Sequence, residues 1–414
     1  MMLKSGIGGK LTGMLGERIK RVGKRTSHQI DLVSDLGFGK FLNLLHYSSP
    51  GGIISLGVGE PDFTTPWHIC EAALDALKKG LTGYTPSVGF IELRCAVAED
   101  IESRYGVRYD PETEIMITVG SSQAMDLALR TILEPGDEVI IPDPYYVCYP
   151  PCITLAHGIP ITAPTSYENE FKLEAAQVEA KITDRTKAIL FGYPANPTGT
   201  EMSRADFEEI ASLVTKYKLL VISDEIYSRL TYGVEHICFP SLPGMKECSI
   251  LLAGFSKTYA MTGWRLGYAA GPADLIAAMS KIHQHTMLSP SSMAQMAAIE
   301  AIKGGENDVK QMVAEYDQRR RVITQGLNKM GLTCHEPKGA FYAFPSVGVT
   351  GMTSEKFTES LLSEEKVVVM PGNLFGERGE GFVRCSYATA MSDIEEALKR
   401  MGRFVERYRN KKTP

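Results

Sequence analysis

The stretch Leu219-Leu220-Val221-Ile222-Ser223-Asp224-Glu225-Ile226-Tyr227 decides the fold class. An apolar run without alternation, closed by a carboxylate, describes a strand covered on both faces that ends at a polar rim. Strands buried on both sides belong to parallel sheets whose connections are helices. The flanking sequence keeps that rhythm. Short apolar segments at Ile115–Val119, Glu138–Ile141, Ala188–Phe191, Ile250–Ala253 and Leu266–Ala270 are strand candidates. Helical patterns at Phe90–Tyr105, Ala124–Ile132, Leu173–Lys181 and Arg204–Tyr217 lie before and between them. The expected class is α/β, a large domain with a mostly parallel sheet flanked by helices.

Further along, helices are expected near Ala273–Gln284 and Ser291–Lys303, then one long helix over Asp308–Met330. After Gly331 the pattern changes to strands at Leu332–His335 and Phe341–Phe344, a helix over Lys356–Ser363, strands at Val367–Met370 and Phe382–Ser386, and a closing helix at Asp393–Tyr408. This predicts a smaller α+β domain from residues 30–65 and 331–414, a large domain over 66–307, a bridging helix at 308–330 and an N-terminal arm at 1–29. No internal repeat or low-complexity tract interrupts it.

With 414 residues, 44% hydrophobic and 22% charged, the chain can bury a large core without disulfides or metal. No apolar run reaches the roughly 18 residues of a membrane-spanning helix. Forty-four basic against 49 acidic residues leave a formal charge of -5, which gives no global pull toward nucleic acid or an anionic membrane. The eight cysteines are scattered with no Cys-x-x-Cys pair, which points to reduced thiols in the cytoplasm and to no metal site. The first 29 residues carry Lys4, Lys10, Arg18, Lys20, Arg21, Lys24 and Arg25 against Glu17 alone. They lack the serine-rich character of a transit peptide, so an arm against solvent or a partner is expected.

Ligands of open α/β sheets bind beyond the carboxyl ends of the strands. After Val119 comes Gly120-Ser121-Ser122-Gln123, a turn into a helix whose free N–H groups suit a phosphate. After Ile141 comes Pro142-Asp143-Pro144-Tyr145-Tyr146, and after Phe191 comes Tyr193-Pro194-Ala195-Asn196-Pro197-Thr198-Gly199. Ser223-Asp224-Glu225-Ile226-Tyr227 ends the central run, and Gly254-Phe255-Ser256-Lys257 through Gly263-Trp264-Arg265 follows Ala253. Taken singly, these are ordinary caps, turns and surface residues. Together they offer an amine, a carboxylate, phosphate donors, aromatic faces and an amide at one address. A phosphorylated pyridine aldehyde needs that set. Lys257 would form the Schiff base. Asp224 would keep the ring nitrogen protonated, and Tyr227 and Asn196 would hydrogen-bond the ring oxygen. Arg265, Ser121 and Ser122 would clamp the phosphate, and Tyr146 would stack on the ring.

At this point the chain resembles the fold type I pyridoxal-phosphate aminotransferases of the aspartate aminotransferase superfamily, class I/II, from about Ile30 to Arg407. The most specific motif runs from Ser256-Lys257-Thr258-Tyr259 through Thr262-Gly263-Trp264-Arg265 to Leu266-Gly267-Tyr268. Asn196-Pro197-Thr198-Gly199 and Ser223-Asp224-Glu225-Ile226-Tyr227 match in order and spacing. The resemblance implies that Gly59, in Gly57-Val58-Gly59-Glu60-Pro61-Asp62-Phe63, approaches substrate. It implies that Tyr84 reaches the phosphate of a neighbouring subunit, which makes the enzyme a homodimer with shared sites. It places Arg384, in Val383-Arg384-Cys385-Ser386-Tyr387, on the substrate α-carboxylate, where a guanidinium fork suits the planar group. The implied reaction is ping-pong transfer of the amino group of an L-amino acid to a 2-oxo acid, 2-oxoglutarate being the expected acceptor.

Three positions depart from the family pattern. Gly254 stands where many members have a phosphate-binding serine, leaving Ser256 or water to supply that donor. Tyr146 stands where aspartate enzymes often have tryptophan. Ser122 stands where some use lysine on a distal carboxylate, which argues against an aspartate-dedicated enzyme unless Lys40 or the partner subunit supplies a cation. Donor selectivity is expected in the segment from Leu36 to Lys40. A carbon–sulfur lyase on the same fold is the alternative reading, because it would share Lys257, Asp224, Asn196 and Arg384. A transcription regulator would need an added DNA-binding domain, for which the residues preceding Ile30 are too few.

Overall fold

The computed structural model describes residues 52–409. The basic arm, the segment from Leu36 to Lys40 and the other residues before 52 lie outside them. Strand β1 (Ile54–Ser55) opens the described chain. The large sheet follows with β2 (Ile115–Thr118), β3 (Glu138–Asp143), β4 (Ile159–Pro164), β5 (Thr186–Phe191), β6 (Leu220–Asp224), β7 (Ser249–Gly254) and β8 (Gly267–Ala270). Their order across the sheet is β2-β8-β7-β6-β5-β3-β4. Only β8 runs against its neighbours β2 and β7.

The quoted stretch behaves as its pattern requires. Val221 and Ile222 are both fully buried, yet they point into different cores. Val221 packs with Ile189, Phe191 and Phe207 on one face, and Ile222 with Leu190, Ile250 and Leu252 on the other. Each such side chain contributes about 1.5–3 kcal/mol relative to exposure. Helix Arg204–Tyr217 covers the first face and is closed by a capping box between Ser203 and Asp206. Helices Gly120–Ile132 and Ala273–Thr286 cover the second.

Several expected elements are corrected. The helix expected from Ala124 begins at Gly120, so Ser121 and Ser122 lie in its first turn. The helix expected at Leu173–Lys181 spans only Ala175–Glu179. Leu332–His335 forms no strand: Leu332 N–H bonds back to Leu327, and Cys334 N–H is taken by the Asn328 side chain at 3.0 Å. That leaves fewer groups for a ladder. Helix Trp67–Lys78, helix Tyr149–Leu155 and edge strand β4 were not anticipated. Prolines explain two of these, since Pro150 and Pro151 sit in a first helical turn and Pro160 and Pro164 in an edge strand, both tolerated places.

After the long helix Glu306–Lys329 come β9 (Tyr342–Ala343), β10 (Val367–Val368), β11 (Met370–Pro371) and β12 (Val383–Ser386). The last three-stranded sheet is ordered β11-β12-β9, and β10 pairs in parallel with β1. Residues 54–56 are thereby tied to the C-terminal segment. Among the described residues no helix is long and apolar enough to cross a membrane.

Candidate active site

β2, β3, β5, β6 and β7 run the same way, so their carboxyl ends share one edge of the sheet. β8 runs backwards and therefore starts there, which brings Arg265, two residues before it, to the same edge. A cavity of about 320 Å³ opens at this edge. Gly59, Ser121, Ser122, Tyr146, Asn196, Asp224, Tyr227, Ser256, Lys257, Arg265 and Arg384 all line it. Tyr84 does not; it is 88% exposed on the loop before helix Ile91–Tyr105.

Lys257 lies in the short helix Phe255–Thr258 directly after β7, and its Nζ donates to the Gly59 carbonyl at 2.6 Å. Burial pulls its pKa down to about 8; Glu60 opposes this, while Arg384 and Arg265 add to it. Asp224 ends β6. Burial raises its carboxyl to about 6 against the Tyr149 hydroxyl, which donates at 3.0 Å, and the Ile226 N–H. A desolvated carboxylate with so few donors accepts a further N–H readily.

Arg384 reaches the cavity from β12. Its Nη1 donates to Asn196 Oδ1 at 2.8 Å and its Nη2 to the Gly57 carbonyl at 2.7 Å. Its Nε is buried and has no hydrogen-bond partner among the described residues. Asn196 sits in a loop that Gly199 makes possible: Gly199 has φ +71°, and a Cβ there would lie 2.6 Å from the Tyr342 carbonyl oxygen. Arg265 Nη2 lies 2.7 Å from where a Cβ on Gly120 would be, which sets a guanidinium over the first turn of helix Gly120–Ile132. Positive side chain and helix N-terminus coincide, and both favour an anion at this edge of the cavity. Ser256 faces the cavity but Gly254 does not line it.

Tyr149, Tyr342, Met125 and Thr262 also line the cavity without having been singled out. Tyr149 stands three residues after Tyr146, at the start of helix Tyr149–Leu155, and packs edge-on against it at 5.5 Å.

Residues 51–401 match the family model described as Aminotransferase class I and II. The chain belongs to this family. Aromatic-amino-acid aminotransferase 2 of Thermococcus litoralis is 46% identical over 86% of this chain and 92% of its own length. Aspartate aminotransferase of Pyrococcus abyssi is 44% identical over 92% of this chain and 98% of its own. The crystal structure of an aromatic aminotransferase from Pyrococcus horikoshii superposes with a TM-score of 0.86 at 44% identity, covering 92% of this chain and 98% of that one. This aminotransferase is therefore a pyridoxal-phosphate enzyme of the α/β class. The cavity suits that cofactor: it holds a lowered amine, a carboxylate in want of an N–H donor, and a cationic anion seat.

Proposed function

We propose that this aminotransferase moves the amino group of an L-amino acid to a 2-oxo acid, 2-oxoglutarate first among them, in two half-reactions centred on Lys257. The reading rests above all on one observation: the Lys257 amine, lowered to about 8, shares a cavity with the Asp224 carboxyl and the Arg384 fork. The bound pyridoxal ring supplies a carbonyl carbon for the amine and an electron sink for the charge left at the substrate Cα.

Lys257 would hold the carbonyl carbon of that ring, and its amine, when free, would take the substrate Cα proton and return it. A pKa near the working pH suits both halves of that task. Asp224 holds a proton on the ring nitrogen. Asn196 and Tyr227 hydrogen-bond the ring oxygen, while Tyr146 covers the ring face. Ser121, Ser122 and Ser256 donate to the phosphate beside Arg265; a serine at Gly254 would be tight, its Cβ meeting the Leu266 carbonyl at 3.1 Å. Arg384 binds the substrate α-carboxylate, with Gly59 packed alongside.

The proposal extends to assembly. Tyr84 is exposed, as are Leu81 and Trp67, and it would complete the phosphate seat of a second copy of the chain. The large body is assigned to residues 66–307, the bridge to 308–330 and the small body to 30–65 with 331–414. A reducing, cytoplasmic setting agrees with eight free cysteines.

Mixing the enzyme with an amino donor and no acceptor is the test. One equivalent of 2-oxo acid per site, resuming only when 2-oxoglutarate is added, is the expected result. Continuous release of pyruvate from cystathionine without acceptor would instead make it a lyase. Aspartate and the aromatic amino acids, named for its relatives, are the first donors to compare.

A further inference from the structure

Tyr342 has no part in the roles assigned so far. It is fully buried on β9, opposite Ser386 of the strand that carries Arg384. The Arg384 guanidinium carbon lies 4.5 Å from the centre of the Tyr342 ring, with Phe375 at 4.9 Å. The Tyr342 hydroxyl meets that of Tyr227 at 2.7 Å. It also closes on Gly59, where any Cβ would collide with it. One side chain thus touches the arginine of the small sheet, the phenol in the turn after β6, and the loop whose carbonyl receives Lys257 Nζ.

We propose that Tyr342 is a positioning residue for transamination: it donates its hydroxyl proton to Tyr227, freeing the Tyr227 proton for the cofactor ring oxygen, and its ring fixes the plane of the Arg384 fork. This rests on the roles of Tyr227 and Arg384 proposed above. Each phenol carries one proton. Among the described residues, the Tyr342 hydroxyl hydrogen-bonds to that of Tyr227. Were Tyr227 to donate instead, it would have no proton left for the cavity. Donation from Tyr342 satisfies both protons. Hydrogen bonds in series polarise one another, so Tyr227 becomes the stronger donor. The titratable groups around the pair are Arg384 from β12, Tyr146 from the loop after β3, Asp224 at the end of β6, and Lys257 with Glu60 beside it. Burial raises the Tyr342 hydroxyl's pKa while Arg384 opposes it, so the hydroxyl keeps a proton to donate.

The test titrates the visible absorbance of the lysine-bound cofactor in Tyr342→Phe, Tyr342→Leu and Tyr227→Phe holoenzymes and measures KM for the donor. Tyr342→Phe should raise the absorbance pKa by at least a few tenths of a pH unit, since a polarising donor is lost. It should leave the donor KM within about twofold, because the ring under Arg384 remains. Tyr342→Leu should raise that pKa as well and increase KM on the order of 10-fold. An unmoved pKa in Tyr342→Phe, with a raised one in Tyr227→Phe, overturns this inference alone. An unmoved pKa in Tyr227→Phe overturns the reading of Tyr227 beneath it. If the leucine variant does not fold, the phenylalanine variant still decides the proton's direction.

Discussion

Lys257 and Asp224 are perturbed toward one another by the same cause. Burial disfavours a charged amine and a charged carboxylate alike, lowering one to about 8 and raising the other to about 6. For Lys257 the folded value lies below the ordinary 10.5, so between about 8 and 10.5 the unfolded chain holds the extra proton. Stability therefore rises with pH through that window. The same shift predicts reactivity: in the cofactor-free protein an amine-directed reagent should label Lys257 with a midpoint near 8, read by peptide mapping. A midpoint at the value of surface lysines would show that the cavity does not lower it. These residues were legible because each follows a buried strand within a few positions, as Asp224 follows Ile222 and Lys257 follows Ala253. Tyr149 and Tyr342 were not. The first stands before two prolines, and the second lies on a two-residue strand whose partner is distant in sequence.

At the scale of elements, the site depends on how closely β8 and helix Gly120–Ile132 approach. A Cβ on Gly267 would lie 2.5 Å from the Ser121 nitrogen and 2.8 Å from the Ala253 carbonyl oxygen, both backbone. Gly267→Ala must therefore push the phosphate turn away from the sheet. The expected cost is about 1–3 kcal/mol, with a lower thermal midpoint and faster cofactor loss. An unchanged midpoint and dissociation rate would mean the turn is not seated as described. The reversed direction of β8 had no signature in its own residues, because Leu266–Ala270 reads as one more apolar strand. Only the neighbours show that its amino end, and so Arg265, belongs at the rim. Edge strand β4 escaped notice because Pro160 and Pro164 read as breakers, which an edge tolerates and a centre does not.

For the whole molecule, the cavity of one chain leaves Tyr84 outside while gathering every other expected site residue. The proposed dimer resolves that separation. Sedimentation should give about twice the chain mass of 45.4 kDa. Tyr84→Phe should weaken cofactor affinity roughly 10-fold, as expected for one lost hydrogen bond to a charged group, without dissociating the dimer. Unchanged affinity would remove Tyr84 from the phosphate seat. Sequence could place the lysine, the carboxylate and the arginine fork in order along the chain, but not the surface on which two chains meet. The central claim is that Lys257 carries the cofactor. Borohydride reduction of the holoenzyme, then digestion and mass spectrometry, tests it most directly: the phosphopyridoxyl group is predicted on the Lys257 peptide, and its recovery on another lysine, or on none, would contradict the proposed chemistry.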